Sequence, residues 1–118
     1  MAYVDGFLLT VPARKLAAYR RMSITAGKVW KDHGALEYRE CVGDHLVQKG
    51  GGAFQKRARA KKGELVIFSW VVYKSRAHRD KILPKIMQDK RLTTMDSKNV
   101  PFDMKRMSYG GFKVLVDM

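Results

Sequence analysis

Asp5, Glu40, Arg106 and Tyr109 are polar residues set in otherwise apolar, strand-like stretches of a 118-residue chain. Carboxylates, a guanidinium and a phenol sharing a small pocket, with Trp70 as an aromatic wall, would orient a polar ligand by a few directed hydrogen bonds. The same polar residues equally suit a buried ion pair or hydrogen-bond network that fixes strand register and subunit contacts, because a perturbed buried charge is only a candidate for function. Both readings stand at this level, and no residue is assigned a catalytic role.

A second constellation is the run QKRARAKK, which places Lys56, Arg57, Arg59, Lys61 and Lys62 within a few positions. Extended, it would turn Arg57, Arg59 and Lys61 to one side, a strip able to follow a phosphate backbone with salt-dependent, sequence-independent affinity. Only Phe54 stands nearby, so the stacking half of a single-strand reader is missing. The alternative is a solvated edge strand whose charges block aggregation. Overall, 24 Lys and Arg against 11 Asp and Glu give a net charge of +13. That balance favours polyanions as weak, low-salt partners but says nothing about fold.

Other chemistries lack their signatures. His33, His45 and His78 are scattered without paired metal-ligand spacing, so no metal site is expected. Cys41 lies next to Glu40, yet neighbours on a strand point to opposite faces, which separates a thiol from that carboxylate. Ser69 lacks a glycine-flanked nucleophile elbow, and no phosphate-cradling loop or other cofactor motif is present. A lone cysteine fits a reducing, cytoplasmic compartment. No apolar run is long enough to span a membrane, and MAYVDGFLLTV reads as a first strand rather than a signal peptide.

The elements that must position these residues follow from periodicity. Tyr3 to Val11 is β-rich and closed by Pro12. From Ala13 to His33, Leu16, Tyr19, Met22, Ala26, Val29 and Trp30 recur at helical spacing, and Gly34 supplies the stop. Ala35 to Gly43 alternates as a strand whose apolar side carries Leu36, Tyr38 and Val42, and with them Glu40. The polar stretch from Asp44 to Gly63, with its Gly50-Gly51-Gly52 run, predicts a hairpin tip and a short edge strand.

Glu64 to Tyr73 differs from the other strands. Val66, Phe68, Trp70 and Val72 occupy one face, while Leu65, Ile67, Val71 and Tyr73 occupy the other, so both faces need cover. Ser75 is a plausible N-cap for a second helix with Ile82, Leu83, Ile86 and Met87 as its stripe. Pro84 inside that stripe predicts a kink or a break between Asp80 and Lys85. After an irregular stretch, Lys105 to Val116 forms the last strand.

The order β, α, β, β, α, β is that of a ferredoxin-like α+β sandwich in one domain over residues 1–118. Its helices cover a single face of the sheet, so the second apolar face of Glu64 to Tyr73 predicts a homodimer. The adjacent Gly110 and Gly111 then leave one gap toward the helices and one toward the partner sheet, each able to admit a ring such as Trp30 or Trp70.

YVDGF at Tyr3 to Phe7, EC at Glu40 to Cys41, FSW at Phe68 to Trp70, SRAHRD at Ser75 to Asp80, and PFDMKRM with YGGF at Pro101 to Phe112 resemble the YbaA-like family of small bacterial proteins of unknown function. The resemblance runs from the first strand to the last. It implies a ferredoxin-like subunit of a dimeric α/β barrel, in a superfamily that includes cofactor-free monooxygenases and haem-degrading enzymes. It carries no activity over to this chain, whose basic 55–62 segment looks richer in charge than is typical of the family.

Overall fold

The computed structural model describes residues 1–47, 52–95 and 100–118. It is an α+β fold built on a four-stranded antiparallel sheet. β1 (Tyr3–Pro12) leads through a 3-10 turn (Ala13–Lys15) into α1 (Leu16–Asp32). β2 (Glu37–Val42) follows, then a helical turn, α2 (Phe54–Arg57), and β3 (Glu64–Tyr73). α3 (Arg76–Met87), a short α4 (Lys90–Thr93), a 3-10 turn (Met104–Arg106) and β4 (Ser108–Lys113) complete the chain. The strands lie in the order β2-β3-β1-β4. Overall extents of 39 × 37 × 20 Å describe a slab about two layers thick, one of sheet and one of helix.

Register assigns each strand residue to a face. Tyr3 pairs with Tyr73, Asp5 with Val71 and Leu9 with Ile67 on the helix-covered side; Val4 pairs with Val72, Gly6 with Trp70 and Leu8 with Phe68 on the open side. On the covered side two clusters form the core. One joins Val29, Ala35, Val71, Tyr73, Ile82 and Ile86, and the other joins Leu9, Val11, Tyr19 and Ile67. Each Val, Leu or Ile side chain so removed from water contributes about 1.5–3 kcal/mol.

Two boundaries match the periodicity closely. Gly34, at φ 114°, terminates α1, and the Ser75 hydroxyl accepts a hydrogen bond from the His78 N–H at 3.0 Å to start α3. Several expectations are corrected. α3 runs through Pro84 and ends at Met87, so the interruption falls at Gln88 and Asp89 rather than between Asp80 and Lys85. Pro84 is exposed near the end of the helix, where it forfeits one backbone bond, while Ile82 and Ile86 hold the helix down at 5% and 0% exposure.

The stretch from Asp44 to Gly63 holds no strand among its described residues; Gln48, Lys49, Gly50 and Gly51 lie outside them. Phe54 to Arg57 coil into a helical turn and Arg59 takes φ 56° with buried Ala58 as the anchor, so Arg57, Arg59 and Lys61 do not form an extended strip. The last strand is shorter than its pattern, and Arg106 belongs to the 3-10 turn before it rather than to a strand.

The glycine pair divides as alternation requires, but with different occupants. Gly111 pairs with Asp5 on the covered side, where the Tyr3 ring, not Trp30, lies so close that an added Cβ would sit 2.7 Å from Tyr3 Cε2. Gly110 pairs with Gly6 on the open side, and nothing lies within 4 Å of where its Cβ would be.

Candidate functional site

Glu40 projects from β2 toward α1, opposite Ser69 of β3. The Tyr19 hydroxyl, from α1, donates to its Oε1 at 2.7 Å, and the Tyr38 hydroxyl, from β2, donates to its Oε2 at 2.7 Å. Burial first, and the Glu40 charge second, push both phenols well above the usual tyrosine range. They are therefore fixed as donors at any physiological pH. Tyr38 reaches its place because residue 27 of α1 is glycine: a Cβ there would stand 3.0 Å from Tyr38 Cδ1. A helix-interior glycine costs about 1 kcal/mol relative to alanine, and here it admits the ring that fixes Glu40.

A cavity of about 140 Å³ opens beside this carboxylate, at the seam between the two core clusters. Phe7, Met22, Trp30, Phe102 and Met107 supply much of its wall. A second, more open groove of about 380 Å³ lies between α1 and β2, and Tyr19, Tyr38 and Glu40 line both spaces. Ser23, also on that groove, is buried with its Oγ unpartnered. The arrangement is an anionic acceptor with spare lone pairs in an aromatic and thioether wall, shaped to bind and orient.

Asp5 belongs to a neighbouring network rather than to this one. Its Oδ2 accepts from the Tyr73 hydroxyl at 2.9 Å and from Arg79 Nε at 3.2 Å, while Oδ1 is buried without a partner. Trp30 Nε1 donates to the Tyr73 hydroxyl at 3.0 Å, so Trp30 stands between the two carboxylates with its ring 5.9 Å from that of Tyr38. Burial, the largest cause, raises the Tyr73 phenol above its ordinary value.

Of the other three expected site residues, Trp70 borders the cavity of about 140 Å³ and Arg106 and Tyr109 do not. By register Trp70 belongs to the open face, and its Nε1 donates to Glu37 Oε1 at 3.2 Å. Arg106 forms a two-pronged pair with Glu64, both contacts at 2.7 Å, and also binds Asp103 at 3.0 Å. The Arg106 hydrogen bonds hold the Glu64 carboxyl down to about 2. Tyr109, on edge strand β4, is 71% exposed and stacks on Phe7 at 6.1 Å. By register Asp5, Glu40 and Tyr109 lie on the covered side, but Tyr109 is at its exposed edge and Asp5 and Glu40 each have their own partners.

The residues missing from the sequence-based site are Tyr19, Tyr38, Trp30, Tyr73 and Arg79. Tyr38 had a readable signal, since it lies two positions from Glu40 on one strand face. Tyr19 and Arg79 did not, because their partners are 21 and 74 residues away in the chain. Cys41 pairs with Phe68 on the open side, away from Glu40, as alternation required. His33 bonds Asp89 at 2.9 Å and His78 Nδ1 accepts from the Lys74 N–H at 3.1 Å, so both act at helix ends. Among the described residues no three His, Cys, Asp or Glu side chains gather as metal ligands, and no helix is long and apolar enough to cross a membrane.

Comparison with known proteins places the chain in a family without giving it an activity. A solved de novo designed protein, Foldit4, aligns over 97% of this chain and 99% of its own at 11% identity, with a TM-score of 0.49. The uncharacterized protein YbaA of Escherichia coli strain K12 is 40% identical over 117 residues, covering 99% of both chains. The uncharacterized protein YbaA of Shigella flexneri matches to the same extent. The family described as "Protein of unknown function (DUF1428)" matches residues 2–104. With a match over most of its length and full-length relatives at that identity, this chain belongs to the DUF1428 family.

Proposed function

We propose that the chain is a ferredoxin-like subunit that binds a small molecule between sheet and helices and pairs with a second copy as a dimeric α/β barrel in the cytoplasm. The observation that carries the ligand reading is the cavity of about 140 Å³ against Glu40, whose two tyrosine donors hold an acceptor in an otherwise apolar wall. Concave, mostly apolar space with a few placed polar groups is what ligand sites share. A thermal-shift panel of small amines, alcohols, acids and aromatics at millimolar concentration tests it. The expected result is a rise of several degrees for one chemical class, and a flat response to the whole panel sinks the reading.

The strand order and the long helices after β1 and β3 support the ferredoxin-like description. The open face supports the dimer: Phe68 and Phe112 are 47% and 61% exposed there, in a groove of about 730 Å³. Two ten-residue and two six-residue strands about 4.8 Å apart make each face roughly 500 Å², so two faces together reach the ~1,000 Å² that a specific interface should clear. Light scattering at micromolar concentration is expected to give twice the chain mass, and a clean monomer rejects the pairing.

A second reading, weak polyanion binding, is favoured by the exposure of Lys56, Arg57, Arg59, Lys61 and Lys62, with Lys105 beside them through an Arg59 bond to its carbonyl at 3.2 Å. Binding to any nucleic acid at low salt that vanishes by ~0.2 M supports it. Loss of salt sensitivity, or no binding at low salt, removes it.

A further inference from the structure

Glu40 is distinguished by the cation it lacks. Asp5 has Arg79 at 3.2 Å, Glu37 has Arg39 at 3.0 Å, Glu64 has Arg106 at 2.7 Å, and Asp89 has Arg91 and His33, each at 2.9 Å. Among the described residues Glu40 has no Lys, Arg or His nitrogen within the 4.0 Å that defines such a pair. Asp44 and Asp117 share that lack, but they are exposed to water. Cations are not scarce, at 24 Lys and Arg to 11 acids, and Arg20 lines the outer groove without closing on Glu40.

Glu40 is half-buried between the cavity and the outer groove, and two neutral phenols donate hydrogen bonds to it without balancing its charge. Around it stand Tyr19 edge-on to Phe102 at 5.9 Å and Trp30 against Tyr38, also at 5.9 Å. Aromatic faces around an anionic acceptor suit an ammonium group, which gains both a charge-assisted hydrogen bond and ring attraction. The adjoining cavity of about 140 Å³ is close to the ~150 Å³ that holds a benzene ring.

We propose that Glu40 anchors the ammonium group of a small amine whose hydrocarbon part, no larger than about one six-membered ring, fills the cavity behind Tyr19 and Tyr38. This rests on the pocket reading above and adds the charge and size of the ligand.

Calorimetric titration of the full chain with benzylamine, benzyl alcohol and toluene at neutral pH tests it. Benzylamine is expected to bind about tenfold or more tighter than benzyl alcohol, its neutral near-isostere. Glu40→Gln is expected to erase that preference, and Ala26→Leu, which fills the cavity wall, to weaken all three. Equal binding of amine and alcohol overturns the amine inference while leaving the pocket reading intact, as does a preference that survives in Glu40→Gln. No binding of any of the three overturns the inference, and only a flat response to the wider panel removes the pocket reading as well. If Glu40→Gln does not fold, the wild-type ranking with Ala26→Leu decides the question.

Discussion

On the covered face of the sheet, Ile67, Val71 and Tyr73 of β3 are 2%, 1% and 0% exposed; on the open face, Phe68 of the same strand is 47% exposed and Phe112 of β4 is 61%. The covered face also holds the polar groups, Asp5, Glu40, Tyr19, Tyr38 and Tyr73, joined by hydrogen bonds. The open face is more uniformly apolar around Val4, Leu8, Phe68, Val72 and Phe112. The contrast is physical. A polar group under helices can be met by side chains at chosen angles, whereas an open apolar face offers a partner chiefly area and shape.

The largest expected difference between the faces is in core truncation. Ile86→Ala, at a position with 0% exposure, is expected to cost ~2–5 kcal/mol in urea unfolding, and Phe112→Ala under ~1 kcal/mol in the monomer. If the open face pairs, the Phe112→Ala loss grows with protein concentration, because association then contributes to stability. Equal, concentration-independent losses break the comparison.

Next comes the glycine pair, adjacent in sequence but facing opposite ways. Gly111→Ala is expected to destabilise by ~1–3 kcal/mol because the Tyr3 ring must move, while Gly110→Ala enters open space and leaves the urea midpoint of the monomer near wild type. Reversal of that order would mean the faces are misassigned. Tyr73→Phe then sharpens the account of the covered side, by removing the hydroxyl that links Trp30 to Asp5. About 1–3 kcal/mol is expected from a Trp30 N–H left unpaired and an Asp5 Oδ2 left with Arg79 alone, and a neutral result would show water serving in its place.

The smallest effect lies at the end of the sheet, where Arg106 depresses the Glu64 carboxyl from its ordinary value near 4.5 to about 2. A lowered folded-state pKa contributes stability above pH 4.5 and loses it as pH falls toward 2. Wild type is therefore expected to weaken across that window relative to Glu64→Gln, as followed by thermal melts at stepped pH. Parallel pH profiles would show that the pair contributes nothing measurable.

Much of this was legible in the chain. Strict alternation in Glu64 to Tyr73 declared two apolar faces, and alternation in β2 put Glu40 with Tyr38 and Val42 rather than with Cys41. Of the kink or break expected at Pro84, the break did not occur, because a local cost of one hydrogen bond is outweighed by the burial of Ile82 and Ile86, which periodicity locates but does not weigh. The basic segment failed for a similar reason: alternation of charge says nothing about whether Ala58 will be buried and turn the chain.

The sequence by itself determined the four main strands, the two long helices, the facing of the strand residues and the family, because side-chain period and local chain stops act over a few residues. The tertiary structure alone decided that Asp5 and Glu40 sit in separate networks, that Arg106 closes on Glu64, and that Tyr3 rather than a tryptophan covers Gly111. Those outcomes depend on which side chains meet across 21 to 108 positions of chain. Contacts at that separation are chosen by packing of the whole layer, and no local pattern carries them.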